Sequence, residues 1–114
     1  MYQEISAQKL EEIVQTKQPI ELIDVREEHE WDMIHIPQAK LIPLSQFPDR
    51  YQEINFDREV YILCRTGARS GQACAWLAQN GKQATNVAGS IKSLYETRSK
   101  ILEITEHFQP QYLL

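Results

Sequence analysis

Apolar residues along the chain fall into two kinds of pattern: short unbroken runs, and stretches that repeat at helical spacing. After Pro19, the run Ile20-Glu21-Leu22-Ile23-Asp24-Val25 is too apolar for a strand with one wet face and suits a strand covered on both, as parallel sheets are. Val60-Tyr61-Ile62-Leu63 is a second strand of that kind. Ahead of them, Ala7, Leu10, Ile13 and Val14 mark a helix of about ten residues that Ser6 is placed to cap. Glu27, Glu28 and Glu30 put negative charge in the first turns of a short helix, where the macrodipole favours it, and Pro37 ends that segment. Lys40-Leu41-Ile42 predicts a short strand, and Phe47, Tyr51 and Ile54 share one helical face. Ser70 to Gln79 reads as a helix closed by Asn80-Gly81, and Ala84 to Val87 as a further strand. A last helix starts at Ser90 and carries Ile91, Leu94 and Tyr95. Strand and helix alternate, so the pattern predicts an α/β fold with a parallel-rich sheet and helices on both faces.

Hydrophobic residues are 42% and charged residues 25% of the 114, close to the globular average, so neither a disordered chain nor a membrane span is expected. A domain of this size buries enough surface to fold without a metal or disulfide, and no cofactor or metal site is expected. Twelve basic against sixteen acidic residues leave a net charge of -4, which argues against nucleic acid or an anionic membrane as the main partner. Any anion site must be local. No basic segment followed by a long apolar stretch opens the chain, so the expected location is cytoplasmic and the thiols of Cys64 and Cys74 are expected to be reduced. Their spacing fits neither a CxxC nor a zinc pattern.

Chemistry is concentrated between the second buried strand and its helix, in Cys64-Arg65-Thr66-Gly67-Ala68-Arg69-Ser70. Ligands of parallel α/β sheets bind beyond the carboxyl ends of the strands, where this segment must lie. A short loop feeding a helix N-terminus turns successive backbone N–H groups inward, and Arg65 and Arg69 add positive charge. Such surroundings lower a cysteine pKa from about 8.5 towards neutrality, which makes Cys64 a nucleophile without a general base. Gly67 supplies the positive φ or close approach that a tight cradle requires. The alternative is that Cys64 ends a strand as a small buried hydrophobe and that the arginines are solvated surface charges. Against it, Arg69 at a helix start opposes the macrodipole unless an anion compensates.

Leu22-Ile23-Asp24-Val25-Arg26-Glu27, then Glu30, His35-Ile36-Pro37, Ile42-Pro43-Leu44, Cys64 through Ser70 and Val87-Ala88-Gly89 together resemble the single-domain rhodanese family, over about residues 4 to 96. The resemblance implies a rhodanese-like α/β domain over residues 1–96, with a central, mainly parallel five-stranded sheet and helices on both faces. It implies a sulfurtransferase in which Cys64 takes a sulfane sulfur from thiosulfate or a persulfide donor, holds it as a persulfide, and passes it to a thiol or cyanide, a sulfur-carrier protein being one such acceptor. By position, Arg65, Thr66, Gly67, Ala68 and Arg69 form the cradle. Arg65 and Arg69 would orient an anionic donor and stabilise the departing sulfite. Asp24 and Arg26, with Glu30, fall where an internal charge network supports the central strand, and His35 in a structural turn. Ile34 and Gln38 stand where the family often has glycine, and Ser90 replaces the second residue of a Gly-Gly pair.

Other chemistries fit less well. Cysteine phosphatases commonly use Cys-x5-Arg to surround a tetrahedral phosphate, whereas Arg69 makes a tighter Cys-x4-Arg loop. Arsenate reduction lacks a well-placed partner cysteine, and a P-loop lacks its lysine. A regulatory rhodanese-like interaction module is the alternative from another class, although such modules usually lose the cysteine. Ala73, Cys74 and Leu77 share a helix face, so Cys74 is expected to be a buried structural thiol, with Trp31 and Trp76 as partly buried packing residues. Residues 97–114 lie outside the resemblance. Ile101, Leu102, Ile104, Phe108, Tyr112, Leu113 and Leu114 predict that this segment continues the last helix and packs on the same domain, a dimer contact or partner dock being the alternative. A monomer or weak homodimer is expected.

Overall fold

The computed structural model describes residues 1–114. Its main sheet joins β1 (Gln3–Ser6), β2 (Ile20–Asp24), β4 (Lys40–Leu41), β5 (Glu59–Leu63) and β6 (Thr85–Ala88), all pairs parallel, in the order β1-β6-β5-β2-β4. The helices α1 (Ala7–Gln15), α2 (Glu28–Met33), α3 (Phe47–Arg50), α4 (Ala68–Gln79) and α5 (Ser90–Glu96) connect them. No helix is long and apolar enough to cross a membrane.

The apolar strands divide cleanly between two layers, because alternate side chains of a strand point to opposite faces. Leu22, Tyr61, Leu63 and Val87 pack with Leu10 and Val14 of α1 and Ile91 and Leu94 of α5. Ile23, Val25, Val60, Ile62 and Cys64 pack with Phe47 of α3 and Ala73, Cys74 and Leu77 of α4. Both predicted core strands are therefore covered on both faces. Their register pairs Ile23 with Ile62 and Asp24 with Leu63, and the Val25 amide donates to Leu63 O at 3.0 Å. Val25 and Cys64 thus leave the sheet side by side at its carboxyl edge, with Arg26 one residue further on.

Ser6 caps α1 as expected, its hydroxyl accepting from the Lys9 amide at 3.0 Å. At the other end of α4, Gly81 takes φ +75°, with the Lys82 amide bonded to Leu77 O and the Gly81 amide to Ala78 O, a Schellman close. Three features differ from the sequence reading or lie outside it. The edge strand β1 carries too few apolar residues to stand out, its burial being mostly exposed. The helix after Cys64 begins at Ala68, two residues earlier than Ser70, because Gly67 is its N-cap.

The third of these is a correction: residues 97–114 do not continue the last helix. Arg98 adopts φ +56°, and the Ser99 amide bonds back to Leu94 O while the Arg98 amide bonds to Tyr95 O, which ends α5. The chain then forms β7 (Glu103–Ile104), antiparallel to β3 (Ile34–His35). Thr105 fixes the register: its amide donates to Met33 O at 3.0 Å and its hydroxyl to Asp32 O at 2.6 Å. Phe108 packs on Tyr95, and a 3-10 turn at Pro110–Leu113 buries Leu113 against the same cluster as Leu10 and Val87.

Candidate active site

Cys64 follows β5, the central strand of the sheet, and α4 starts four residues later at Ala68. The loop closes so sharply because Gly67 sits at φ +109°. A Cβ there would stand 3.4 Å from Val87 O, an ordinary contact, so it is the backbone conformation that calls for glycine. Closure brings the Gly67 amide to 3.1 Å from Cys64 Sγ and the Ser70 hydroxyl to 3.4 Å. The Thr66 and Ser70 amides also aim at the sulfur. Cys64 itself has no measurable exposure. Burial pushes its thiol pKa up, but the Ser70 hydroxyl and the Ser70, Gly67 and Thr66 amides outweigh burial and hold it below the ordinary thiol range.

A second turn braces the cradle from behind. Gly89 and Ser90 take φ +79° and +45° in succession, so that the start of α5 meets the loop: the Ile91 amide donates to Cys64 O at 3.2 Å and the Lys92 amide to Arg65 O at 2.9 Å. The Ser90 hydroxyl accepts from the Cys64 amide at 3.1 Å and donates to Val87 O at 2.7 Å. Serine in place of the family's glycine is thus compensated: its left-handed backbone is strained, but its side chain satisfies two buried groups that a glycine would leave unpaired. Asn86 on β6 donates to Gly67 O at 3.2 Å and to Glu4 Oε2 at 2.9 Å, which steadies the Gly67 peptide.

The arginines lie differently from the sequence expectation. Arg69 is engaged in a two-pronged ion pair, with Nη1 2.7 Å and Nη2 2.8 Å from the two carboxylate oxygens of Glu30. Burial opposes ionisation of Glu30, but Arg69, the Glu27 amide and the Tyr112 hydroxyl hold its pKa down at about 2. Arg65 turns to the 97–114 segment. Its Nε donates to Tyr112 O at 2.6 Å, its Nη2 to Leu114 O at 3.0 Å, and its guanidinium lies 5.6 Å from the centre of the Tyr112 ring. Two of its five N–H donors are therefore engaged by main-chain oxygens of a neighbouring segment.

Asp24 and Arg26 form a fully buried pair, Nη2 to Oδ2 at 2.8 Å, and Arg26 Nη2 also donates to Ile34 O. Arg26 Nη1 reaches the Tyr112 hydroxyl at 3.3 Å, which in turn donates to Glu30 Oε1 at 2.7 Å. Asp24, Arg26, Glu30 and Arg69 are therefore one network with Tyr112 at its junction. His35 donates from Nδ1 to Trp31 O at 2.8 Å, stacks on the Trp31 ring and faces Glu103.

Three residues of the site escaped sequence reasoning in their roles. Ser70 read only as a helix start, though its place right after the loop put a hydroxyl near the sulfur. Ser90 read as a departure, and Tyr112 as one apolar residue among several. Nothing local in the sequence marks Tyr112, whose partners lie 82 and 86 residues away.

A model of the rhodanese-like domain matches residues 6–97. A sulfurtransferase of Allochromatium vinosum is 39% identical over 92 residues, covering 80% of this chain and 86% of its own. A putative sulfurtransferase of Bacillus subtilis is 35% identical over 88 residues, covering 77% and 85%. Among solved structures, a rhodanese-like domain protein from Staphylococcus aureus superposes with a TM-score of 0.77 at 33% identity, covering 91% of this chain and 99% of that one.

Proposed function

The chain belongs to the rhodanese-like domain family, and from that membership we propose that it is a sulfurtransferase carrying sulfane sulfur as a persulfide on Cys64. The observation that carries this reading is the set of amide and hydroxyl donors converging on a single sulfur, with the Gly67 amide at 3.1 Å and the thiol pKa held down despite complete burial. Such a nest favours an anion centred on one atom, and a thiolate is the attacking species in sulfur exchange.

In the loading step the Cys64 thiolate attacks the outer sulfur of thiosulfate or of a persulfide. A new S–S bond forms, the donor's S–S bond breaks, and its electron pair leaves with sulfite or with the donor thiolate. In the unloading step an acceptor thiolate or cyanide attacks the terminal sulfur of Cys64–S–S⁻, forming a persulfide or thiocyanate and returning Cys64 as thiolate. Charge is conserved in each step, and neither needs a metal or redox cofactor. The cradle donors stabilise the anion before and after loading.

Phosphate chemistry is less favoured on a specific ground: Arg69, which a cysteine phosphatase would direct at phosphate oxygens, is occupied by Glu30 at 2.7 and 2.8 Å. The reading is tested by intact-mass measurement after treatment with a small-molecule persulfide donor. Addition of one sulfur atom to the wild type and none to Cys64→Ser is expected. No adduct on the wild type, or an equal adduct on the variant, overturns it.

A further inference from the structure

The 97–114 segment lies beyond the core of the family match, yet it reaches the reactive cysteine's own neighbours. Around the site three guanidinium groups, Arg26, Arg65 and Arg69, face two carboxylates, Asp24 and Glu30. Arg65 is the one with no carboxylate side chain as partner, and it is the one that the segment holds, through Tyr112 O, Leu114 O and the Tyr112 ring. The Tyr112 hydroxyl ties the same side chain to Glu30 and Arg26. Main-chain oxygens of residues 112 and 114 and the Tyr112 ring therefore engage Arg65, the Tyr112 hydroxyl pins that segment to Glu30, and the Glu30–Arg69 pair neutralises itself.

Donors differ in what they ask of such a site. Thiosulfate brings two negative charges and releases sulfite, also a dianion, so its transition state needs cationic donors beyond the amide nest. An alkyl or protein persulfide brings one charge, on a sulfur the nest itself can hold, and its leaving thiolate is a monoanion. We propose that Tyr112 is a specificity-determining residue: by holding the strap of residues 110–114 on Arg65 and Glu30, it biases Cys64 towards persulfide sulfur delivered by another thiol and against small dianionic donors. This rests on the sulfur-transfer reading and narrows its donor class.

The fold does not depend on Tyr112, although the seating of residues 110–114 over Arg65 and Glu30 does. Leu113 is buried, Phe108 packs on Tyr95 and β7 pairs with β3, so Tyr112 can be changed while its neighbours hold the fold. The experiment compares kcat/KM for thiosulfate and for a small-molecule persulfide donor in the wild type, Tyr112→Phe and Tyr112→Ala, with near-ultraviolet circular dichroism as a check on packing. Tyr112→Phe removes only the hydroxyl tie; Tyr112→Ala removes the tie and the ring over Arg65.

The ratio of thiosulfate to persulfide efficiency is expected to rise severalfold in Tyr112→Phe and roughly tenfold in Tyr112→Ala, the effect of losing one well-made polar contact from the competing arrangement. A ratio unchanged in both folded variants overturns the proposal, as does an equal gain for both donors, which would make the strap a general obstruction. A fall in the ratio overturns it too, by assigning Tyr112 to the thiosulfate reaction. Should Tyr112→Ala lose its packing signal, Tyr112→Phe decides alone. Absence of any sulfur adduct on Cys64 from either donor in the wild type strikes instead at the sulfur-transfer reading.

Discussion

Cys64 and Cys74 are equally shut off from solvent and lie in the same apolar layer, yet their thiols are driven in opposite directions. Burial pushes the Cys74 pKa up to about 12, with the charges of Glu4 and Cys64 adding to it. Burial acts on Cys64 in the same sense and is overcome there. The difference is in the backbone. Cys74 lies inside α4, where successive amides are bonded to carbonyls one turn back. Cys64 stands before the first turn of the same helix, where the Gly67 amide at the N-cap is free of the helical ladder and donates to its sulfur. Reactivity here is a matter of a ten-residue displacement along the chain, from the interior of a helix to the loop ahead of it.

The strongest way to break this contrast is to remove each nucleophile in turn. Cys64→Ser is expected to cost at least ~10³-fold in sulfur transfer while leaving the fold intact, because a hydroxyl in the same nest is a far weaker nucleophile and cannot hold a persulfide. Turnover of a persulfide donor and a thermal melt check the two halves of that statement. Next in size is Gly67→Ala. A side chain is strained at φ +109°, and relief of that strain turns the peptide and takes the Gly67 amide off the sulfur. Transfer should fall by about 10 to 100-fold, the cost of a misplacement of about 1 Å. A lower melting temperature should accompany it, from roughly 1–3 kcal/mol of strain. Full activity would mean that the nest is not what lowers the Cys64 pKa.

Much of this site was legible in the sequence, because its chemistry is local. Cys64, the loop amides, Gly67 and the following helix occupy a few consecutive residues, and the two apolar runs place that loop at the sheet's carboxyl edge. The resemblance also implied the buried charge network of Asp24 and Arg26, a pair two residues apart at the end of the neighbouring strand. What stayed hidden depends on contacts across the fold. Composition shows that Arg65 and Arg69 are cations but not that Glu30 and the strap occupy them, since those partners are 39 and 47 or more residues away. Residues 97–114 are rich in apolar side chains, which argued rightly for packing and wrongly for a longer helix. Arg98 in a left-handed conformation stops α5, and no glycine announced that turn.

Smaller effects sharpen the contrast rather than break it. Ser70→Ala removes the hydroxyl 3.4 Å from Sγ but keeps the amides. The thiol should then titrate higher, because the thiolate loses a hydrogen bond that favours it. Alkylation of Cys64 by iodoacetamide as a function of pH reads this directly. The rate deficit should be several-fold at neutral pH and vanish at alkaline pH, where both proteins are ionised. A deficit that persists at high pH would assign Ser70 to shaping the loop rather than to stabilising the thiolate.

The smallest effect is expected at Cys74, and its sign is opposite. Cys74→Ala should leave transfer unchanged and cost about 1 kcal/mol at neutral pH, a typical loss for one buried substitution. The wild type, however, contains a thiol that stays protonated when folded up to about pH 12 and ionises at its ordinary value of ~8.5 when unfolded. Above that ordinary value the unfolded state binds fewer protons than the folded one, so folding weakens as pH rises, by about 1.4 kcal/mol per pH unit across the window between the two values. The alanine variant lacks this term, and its disadvantage should therefore shrink and then reverse as pH rises. Urea unfolding under reducing conditions at several pH values between neutral and alkaline measures it. Parallel curves for the two proteins would show that Cys74 ionises in the folded state as easily as out of it, and burial would then no longer explain why only one of the two thiols is fit for chemistry.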